Sequence, residues 1–369
     1  MQIRAAVVHE AGHHFALESC DLAGPGPGEV LLAMEAVGIC HTDLAASAQV
    51  WPVPLPAVLG HEGVGIVQAV GAGVEHIAVG DRVLPGFGSC GHCRNCQHQQ
   101  PGYCSHGAHF QVQGRRMDGS SPLRLAGQEI TGHFFAQSAF ASHCVAATNN
   151  MVVLPPDVPP GLMAPLACGV QTGMGAVLLA LNARPDQALA VMGVGTVGLA
   201  AIMAARIAGC DPIIAVDRNP QRLALALELG ATDAVDTRSE PLRKALLARK
   251  GVDAAVDTTG APDLIRAALE GTRQRGTVLC VAVPGPGAEL CVDLAGLTLA
   301  GRSVRGSIEG DADPKTFVPR MIEHYRRGEL PLERIVTEYP FDDINRAVRD
   351  TIAGRTIKPV LRFTPANNP

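Results

Sequence analysis

From about residue 170 the chain alternates short apolar runs with alanine- and leucine-rich stretches of helical length. QALAVMG leads into VGLAAIMAARIAG, PIIAVD into PQRLALALELG, and DAAVDTTG into PDLIRAALEG, with TVLCVAV after them. Such alternation constrains the fold strongly, because parallel strands cannot be joined by hairpins and need crossover helices. It predicts an α/β class with a doubly wound parallel sheet. Residues 1 to about 165 read differently. There, β-like runs such as EVLLAMEAVGI, EGVGIVQAV and AVGDRVLP are separated by turns at GPGPGE and VGAGVE. Proline clusters at 52–56 and 155–160 mark loops. The tail, from about Glu309, carries helical stretches (FVPRMIEHYRRG, INRAVRDTIAG) and closes on the strand-like KPVLRF. A length of 369 residues favours two domains over one core, and 47% apolar residues can fill both.

A net charge of −5 supplies no basic field for nucleic acid or anionic lipid. No apolar run has the length of a membrane span, and MQIRAAVVHEAG lacks a signal-peptide pattern. The expectation is a cytoplasmic protein with neither nucleic-acid nor membrane partners. Eleven cysteines in that setting point to metal or redox chemistry rather than a disulfide frame.

GVGTVG, Gly193 to Gly198, follows a predicted strand and opens a predicted helix. Gly193, Gly195 and Gly198 allow a tight turn and close backbone approach, and a helix beginning at Thr196 and Val197 favours a pyrophosphate at its N-terminus. Asp217 ends the next strand, 24 positions after Gly193. A carboxylate there can accept hydrogen bonds from both ribose hydroxyls and repels a 2′-phosphate, which predicts NAD. Arg218 pulls the other way, since a guanidinium can pair with that phosphate. A βαβ unit without cofactor is the alternative, and the strand–turn–helix context argues against it.

CGHCRNCQHQQPGYC places Cys90, Cys93, Cys96 and Cys104 at spacings of three, three and eight. Two-residue gaps turn successive thiolates towards one ion and the longer return completes a tetrahedron, which predicts a structural zinc. A redox pair or an iron–sulfur cluster is the competitor. Cys40 in GICHTD, His61 in VLGHEGVG and Cys168 in PLACGVQTG are scattered over more than 120 residues. By spacing alone, buried inert thiols are a better reading of Cys40 and Cys168 than metal ligation.

Taken together, GICHTD, GHEGVG, the C-x2-C-x2-C-x7-C run, ACGVQTG and GVGTVG resemble the zinc-dependent medium-chain alcohol dehydrogenase family, in its motif order and over nearly the whole chain. FFAQSAFA, CGVQTG and the tail IEGD…DP…FVP…Y are most similar to its benzyl and other aryl-alcohol dehydrogenases. The resemblance implies a GroES-like catalytic domain from residues 1–169 and 309–369, with a structural zinc lobe at about 90–104. A Rossmann domain at 170–308 is inserted in it. Two zinc ions per chain are implied, with Cys40, His61 and Cys168 holding the catalytic one, a ligand set known from alcohol dehydrogenases. Asp43 would orient His61, Glu62 would lie behind the metal, and Thr42 would bond the substrate hydroxyl. His41 and Lys358 fall where the family keeps cationic pyrophosphate contacts, and Arg222 where it supports the adenosine ribose. Trp51, Phe87, Phe134 and Phe135 fall at positions lining the family's substrate channel.

The implied activity is interconversion of an aryl or allylic primary alcohol and its aldehyde, with a homo-oligomer, dimer or tetramer, as the expected assembly. Rivals are a terpene-alcohol dehydrogenase, a thiol-adduct formaldehyde dehydrogenase and a zinc-stabilised nucleotide-binding protein without activity. One departure stands out. Many members keep a histidine three residues after Thr42 to pass the proton onward, and here that residue is Ala45. Glu309 reads as an exposed loop carboxylate.

Overall fold

A computed structural model describes residues 1–363 of the chain. They form two compact units. The first holds Met1–Cys168, Asp313–Ile322 and the chain from Leu332 onward; the second holds Gly169–Ala312 and Glu323–Pro331. The tail is therefore shared: residues 309–312 and 323–331, expected in the first domain, group with the nucleotide half. The contacts explain it. A Cβ on Gly175 would meet the Gly310 carbonyl at 2.5 Å, so the 310 segment lies directly on the helix Gly169–Gly175. Likewise, the Arg206 guanidinium donates to the Glu329 carbonyl at 2.8 Å.

In the first unit, a five-stranded sheet runs in the order Ala57–Val58, Gln2–Val8, Ala16–Leu22, Leu123–Leu125, Gln128–Glu129. A second sheet centres on Glu29–Gly38, whose sequence EVLLAMEAVG alternates buried and half-buried positions as a two-residue period requires. That strand pairs with Glu62–Val70 and with Lys358–Arg362 on its two edges, and His143–Ala147 also pairs with it. The register brings three distant segments to one point: Gly38 lies opposite Glu62 on one side and Val360 on the other. A side chain at Gly38 is impossible here, because its Cβ would sit 2.0 Å from Glu62 Oε2.

The second unit is a six-stranded parallel sheet in the spatial order Asp233–Asp236, Ile213–Asp217, Leu189–Met192, Val252–Asp257, Thr272–Cys280, Ser303–Gly306. In chain order this is 3-2-1-4-5-6, the dinucleotide-binding arrangement, with its crevice at the C-terminal end of the first strand. The helix Pro220–Leu229 shows how local chemistry sets the boundaries. Asn219 caps it by accepting from the Gln221 and Arg222 amides, Pro220 occupies the first turn, and Gly230 ends it. Among the described residues, no single helix is long and apolar enough to cross a membrane.

His133 is a buried polar group of the first unit, only 2% exposed and 3.4 Å from Glu29. Burial pulls its pKa down to about 4, against the partial opposition of Glu29. The ring is thus neutral in the folded protein, while in the unfolded chain it charges below about 6.5. Its contribution to stability is therefore complete above about pH 6.5 and is lost as pH falls towards 4, by up to about 3 kcal/mol. His133→Gln should flatten that part of the stability profile, measured as the difference from wild type in urea unfolding at pH 7 and pH 5.

Candidate functional site

Cys40 directly follows the strand Glu29–Gly38 and Ile39, and it caps the short helix His41–Ser47. Its backbone N–H donates to Asp43 Oδ2 at 2.9 Å. The other carboxylate oxygen, Oδ1, accepts from the Gly60 amide at 3.1 Å and from His61 Nδ1 at 2.9 Å. Asp43 is fully buried, so one carboxylate fixes the helix start, the turn before His61 and the imidazole ring. With its proton on Nδ1, His61 presents a bare lone pair on Nε2, and that atom is buried without a hydrogen-bond partner.

Cys168 closes the 3-10 turn Ala164–Ala167 and ends the first unit. Ligand atoms of Cys40, His61, Glu62 and Cys168 all lie within 4.8 Å of one another. Thr42 Oγ1 lies 3.7 Å from Cys40 Sγ. The field around Cys40 favours the thiolate: its pKa is held well below the usual thiol range by hydrogen bonding with Cys168, assisted by His61 and Lys358, against the effect of burial. Two sulfurs, an imidazole whose far nitrogen is carboxylate-bound, and an orphaned Nε2 fit a zinc ion.

Lys358 corrects an expectation. The resemblance implies a pyrophosphate contact, but the residue is 2% exposed, and its ammonium lies 2.8 Å from both Glu62 carboxylate oxygens and 3.1 Å from the Ile39 carbonyl. Those three acceptors match its three N–H donors. Burial raises the Glu62 pKa against the pull of Lys358, while the charges of Glu62 and Cys40 raise that of Lys358 in spite of burial. The lysine thus neutralises the carboxylate behind the ligand cluster.

Cys90, Cys93, Cys96 and Cys104 also converge, with every sulfur within 4.8 Å of the others. Three separations are 3.5 Å (Cys93–Cys96), 4.0 Å (Cys90–Cys96) and 4.0 Å (Cys93–Cys104). A tetrahedron with metal–sulfur bonds of about 2.3 Å has edges of about 3.8 Å, so the cluster is preformed. Backbone amides of Cys93, Cys90 and His106 point at the Cys90 and Cys104 sulfurs from 3.3 to 3.4 Å. Backbone hydrogen bonding at Cys96 leads the effects that lower the Cys93 pKa to about 5.

In the second unit, Gly193 has φ +83°, and a Cβ there would strike Thr258 Oγ1 at 2.6 Å. A Cβ on Gly198 would lie 2.0 Å from the Gly193 carbonyl, whereas Gly195, the N-cap of the helix Thr196–Ala208, faces open space. Asp217 is tied to this turn: Oδ2 accepts from the Val194 amide at 2.8 Å, and Oδ1 from the Arg218 and Asn219 amides at 2.7 and 2.9 Å. Three of its roughly four lone-pair positions are taken, which leaves one for a ribose hydroxyl instead of the expected pair. The Arg218 and His41 side chains are exposed, while Arg222 is half-buried with Nε unpartnered. Glu309 is buried, not an exposed loop carboxylate, and accepts from Gln171 Nε2 at 3.3 Å and Thr172 Oγ1 at 3.4 Å.

Of the four aromatic positions, two lie against His61. Phe135 stacks on His61 with centroids 4.6 Å apart, and Phe134 meets it edge-on at 5.9 Å. Phe87 is buried in the core of the unit, and Trp51 is half-buried on the turn after the helix His41–Ser47, its amide bonded to the Ala45 carbonyl. Gln137 escaped the sequence reading, although a lone amide inside the apolar FFAQSAFA was a visible signal. Its side chain bonds the main chain on both sides of Glu62.

Residues 26–156 match the alcohol dehydrogenase GroES-like domain, and residues 196–325 match the zinc-binding dehydrogenase domain. The chain belongs to the zinc-binding medium-chain alcohol dehydrogenase family, whose members combine zinc with an NAD(P)-binding Rossmann domain. It is 43% identical to geraniol dehydrogenase of Castellaniella defragrans over 364 residues, covering 98% of this chain and 97% of that one. Among solved structures it is similar to an alcohol dehydrogenase zinc-binding domain protein from Burkholderia ambifaria (TM-score 0.96, 43% identity, 99% of both chains). It is also similar to benzyl alcohol dehydrogenase from Acinetobacter calcoaceticus (TM-score 0.95, 38% identity, 99% of this chain and 100% of that one).

Elemental analysis should find two zinc ions per chain. Cys168→Ala should lose one of them and stay folded. Cys96→Ala should lose the other and lower Tm by about 10 °C, since structural zinc contributes several kcal/mol of folding free energy. Iron with labile sulfide, or a single zinc in the wild type, would contradict both assignments.

Proposed function

We propose that the protein interconverts an aryl or allylic primary alcohol and its aldehyde with NAD, using Cys40, His61 and Cys168 as the catalytic zinc ligands. The orphaned Nε2 of His61, set among cysteine sulfurs and locked by Asp43, carries this reading. Bound zinc supplies a Lewis acid that lets an alcohol lose its proton near neutral pH, and NAD supplies the hydride acceptor. Thr42, beside Cys40, bonds the substrate hydroxyl and orients it. Asp43 holds the imidazole in the one tautomer that leaves Nε2 free. Lys358 keeps Glu62 charge-balanced, so no uncompensated carboxylate lies behind the sulfurs. Ala45 cannot carry a proton, so the proton leaves by water or by another group. On the cofactor side, the Gly193–Gly198 turn receives the pyrophosphate. Asp217 takes a ribose hydroxyl and disfavours a 2′-phosphate, with Arg222 beside the ribose and Arg218 near the adenine. The four-cysteine lobe holds the structural zinc.

Phe134 and Phe135, packed on His61, support a flat apolar substrate, with Trp51 and Phe87 as further walls. A phenyl ring that buries on the order of 100 Å² gains about 2.5 kcal/mol, and stacking adds about 1. Benzyl alcohol should therefore exceed ethanol in kcat/KM by at least about a hundredfold. The geraniol dehydrogenase relative favours a second reading, a terpene alcohol. A panel of benzyl alcohol, geraniol and ethanol, each with NAD and NADP, separates the two and tests Asp217. Equal kcat/KM for benzyl alcohol and ethanol would remove the aryl reading, higher kcat/KM with NADP would remove the Asp217 assignment, and no activity at all would leave a nucleotide-binding protein.

Eleven free cysteines suit a reducing, cytoplasmic setting. We also propose a homo-oligomer. The terminal strand Ser303–Gly306 is exposed throughout, and Leu294 and Leu299 nearby in the chain are 71% and 86% exposed. An open strand edge and exposed leucines favour pairing with another chain. Light scattering should give a dimer or tetramer mass, and Leu299→Glu should shift it downwards. A monomeric wild type would refute this.

A further inference from the structure

The strand Glu62–Val70 is held on one edge by Glu29–Gly38, with Glu62 opposite Gly38. Because strand hydrogen bonds alternate sides, the His61 carbonyl and the Gly63 amide point the other way. One side chain meets both. Gln137, fully buried, accepts from the Gly63 amide through Oε1 at 3.1 Å and donates through Nε2 to the His61 carbonyl at 3.0 Å. The same Nε2 reaches the Pro85 and Gly86 carbonyls at 3.2 and 3.3 Å. On this edge the strand Arg82–Leu84 pairs with Gly65 and Ile66 and ends there, so the amide bridges the gap between the start of Glu62–Val70 and the chain leaving that neighbour, where His61 enters the sheet. Gly63 makes room for it, since a Cβ there would lie 3.0 Å from Oε1 and 2.8 Å from Met34.

The turn carrying Gln137 is strained. Phe135, Ala136 and Ser138 have φ of 52°, 62° and 53°, left-handed values that L side chains rarely adopt. Such strain persists only where the surroundings over-determine it. Here Ser138 Oγ closes the turn, accepting from the Phe134 amide at 2.8 Å and donating to the Val58 carbonyl at 2.7 Å. The outcome is that Phe135 faces the imidazole while Gln137 grips the main chain of the same histidine.

We propose that the turn Phe134–Ser138 positions His61 for metal binding, with Gln137 fixing its backbone and Phe135 its ring face, so that Gln137 is a positioning residue of the site. Asp43 sets the direction of the ring from Nδ1; Gln137 and Phe135 set where it stands. This rests on Cys40, His61 and Cys168 being the ligands. Gln137→Met keeps the volume and all three ligands but removes the grip, so the donor set should hold its ion less firmly.

The test is the rate at which the zinc-loaded protein gives up metal to a chelating dye, read with the cobalt d–d absorption of the metal-exchanged protein. Gln137→Met should release one of its two ions about tenfold faster than wild type and alter the cobalt band, while the second ion leaves at the wild-type rate. Phe135→Leu, which strands no buried polar group, should speed the same ion several-fold and decides the matter if Gln137→Met does not fold. Asn345→Leu removes another side-chain amide that bonds both backbone groups of one residue, Phe15, and should leave release and spectrum unchanged. Wild-type release from both turn variants, or equal acceleration by Asn345→Leu, overturns the positioning role. If Cys168→Ala keeps both zinc ions, the ligand reading itself fails; if it loses one while the turn variants behave as wild type, only the positioning role does.

Discussion

The first unit depends on the buried carboxylate of Asp43. It accepts from the Cys40 amide, the Gly60 amide and His61 Nδ1, joining its own helix start to the turn before a histidine 18 positions further on. As part of a capping box, it starts a seven-residue helix too short to be stable alone. The same two oxygens leave the histidine with a single free nitrogen. A local backbone requirement and the tautomer of His61 are thus met by one group, so Asp43→Asn would disturb both at once: an amide has only one acceptor oxygen where three donors need two.

Behind the cluster, the Glu62–Lys358 pair shows what the interior tolerates. A buried ion pair gains little net stability, because desolvation offsets the attraction. Deleting one partner, in contrast, leaves an uncompensated charge at a cost of about 3–5 kcal/mol. The pair is therefore better understood as an electrostatic floor under the sulfurs than as a source of stability. Gly38 belongs to it as well, since only a residue without a side chain leaves space for Glu62 Oε2.

The nucleotide half uses backbone geometry more than charge. Gly193 and Gly198 bring the turn and the helix into contact at distances no Cβ would permit, and Asp217 binds that turn before it binds any ligand. Its carboxylate is consequently pre-oriented but partly spent.

Much of this was legible in the residue order. The alternation after residue 170, the cysteine spacing of three, three and eight, and the strand–GVGTVG–helix context are local signals, because turns, helices and short metal loops are set by neighbours in sequence. The convergence of Cys40, His61 and Cys168 was not local, and only motif resemblance suggested it. Three further features needed the tertiary structure. Lys358 reads as a surface cation until strand pairing buries it against Glu62. Glu309 reads as a loop carboxylate until its left-handed turn packs it on Gln171 and Thr172. Gln137 gains its meaning only when the turn that carries it reaches the start of the strand Glu62–Val70, beyond that strand's pairing with Arg82–Leu84. In each case the deciding partner lies more than 70 positions away, and what a polar group does depends on which partner burial leaves within reach.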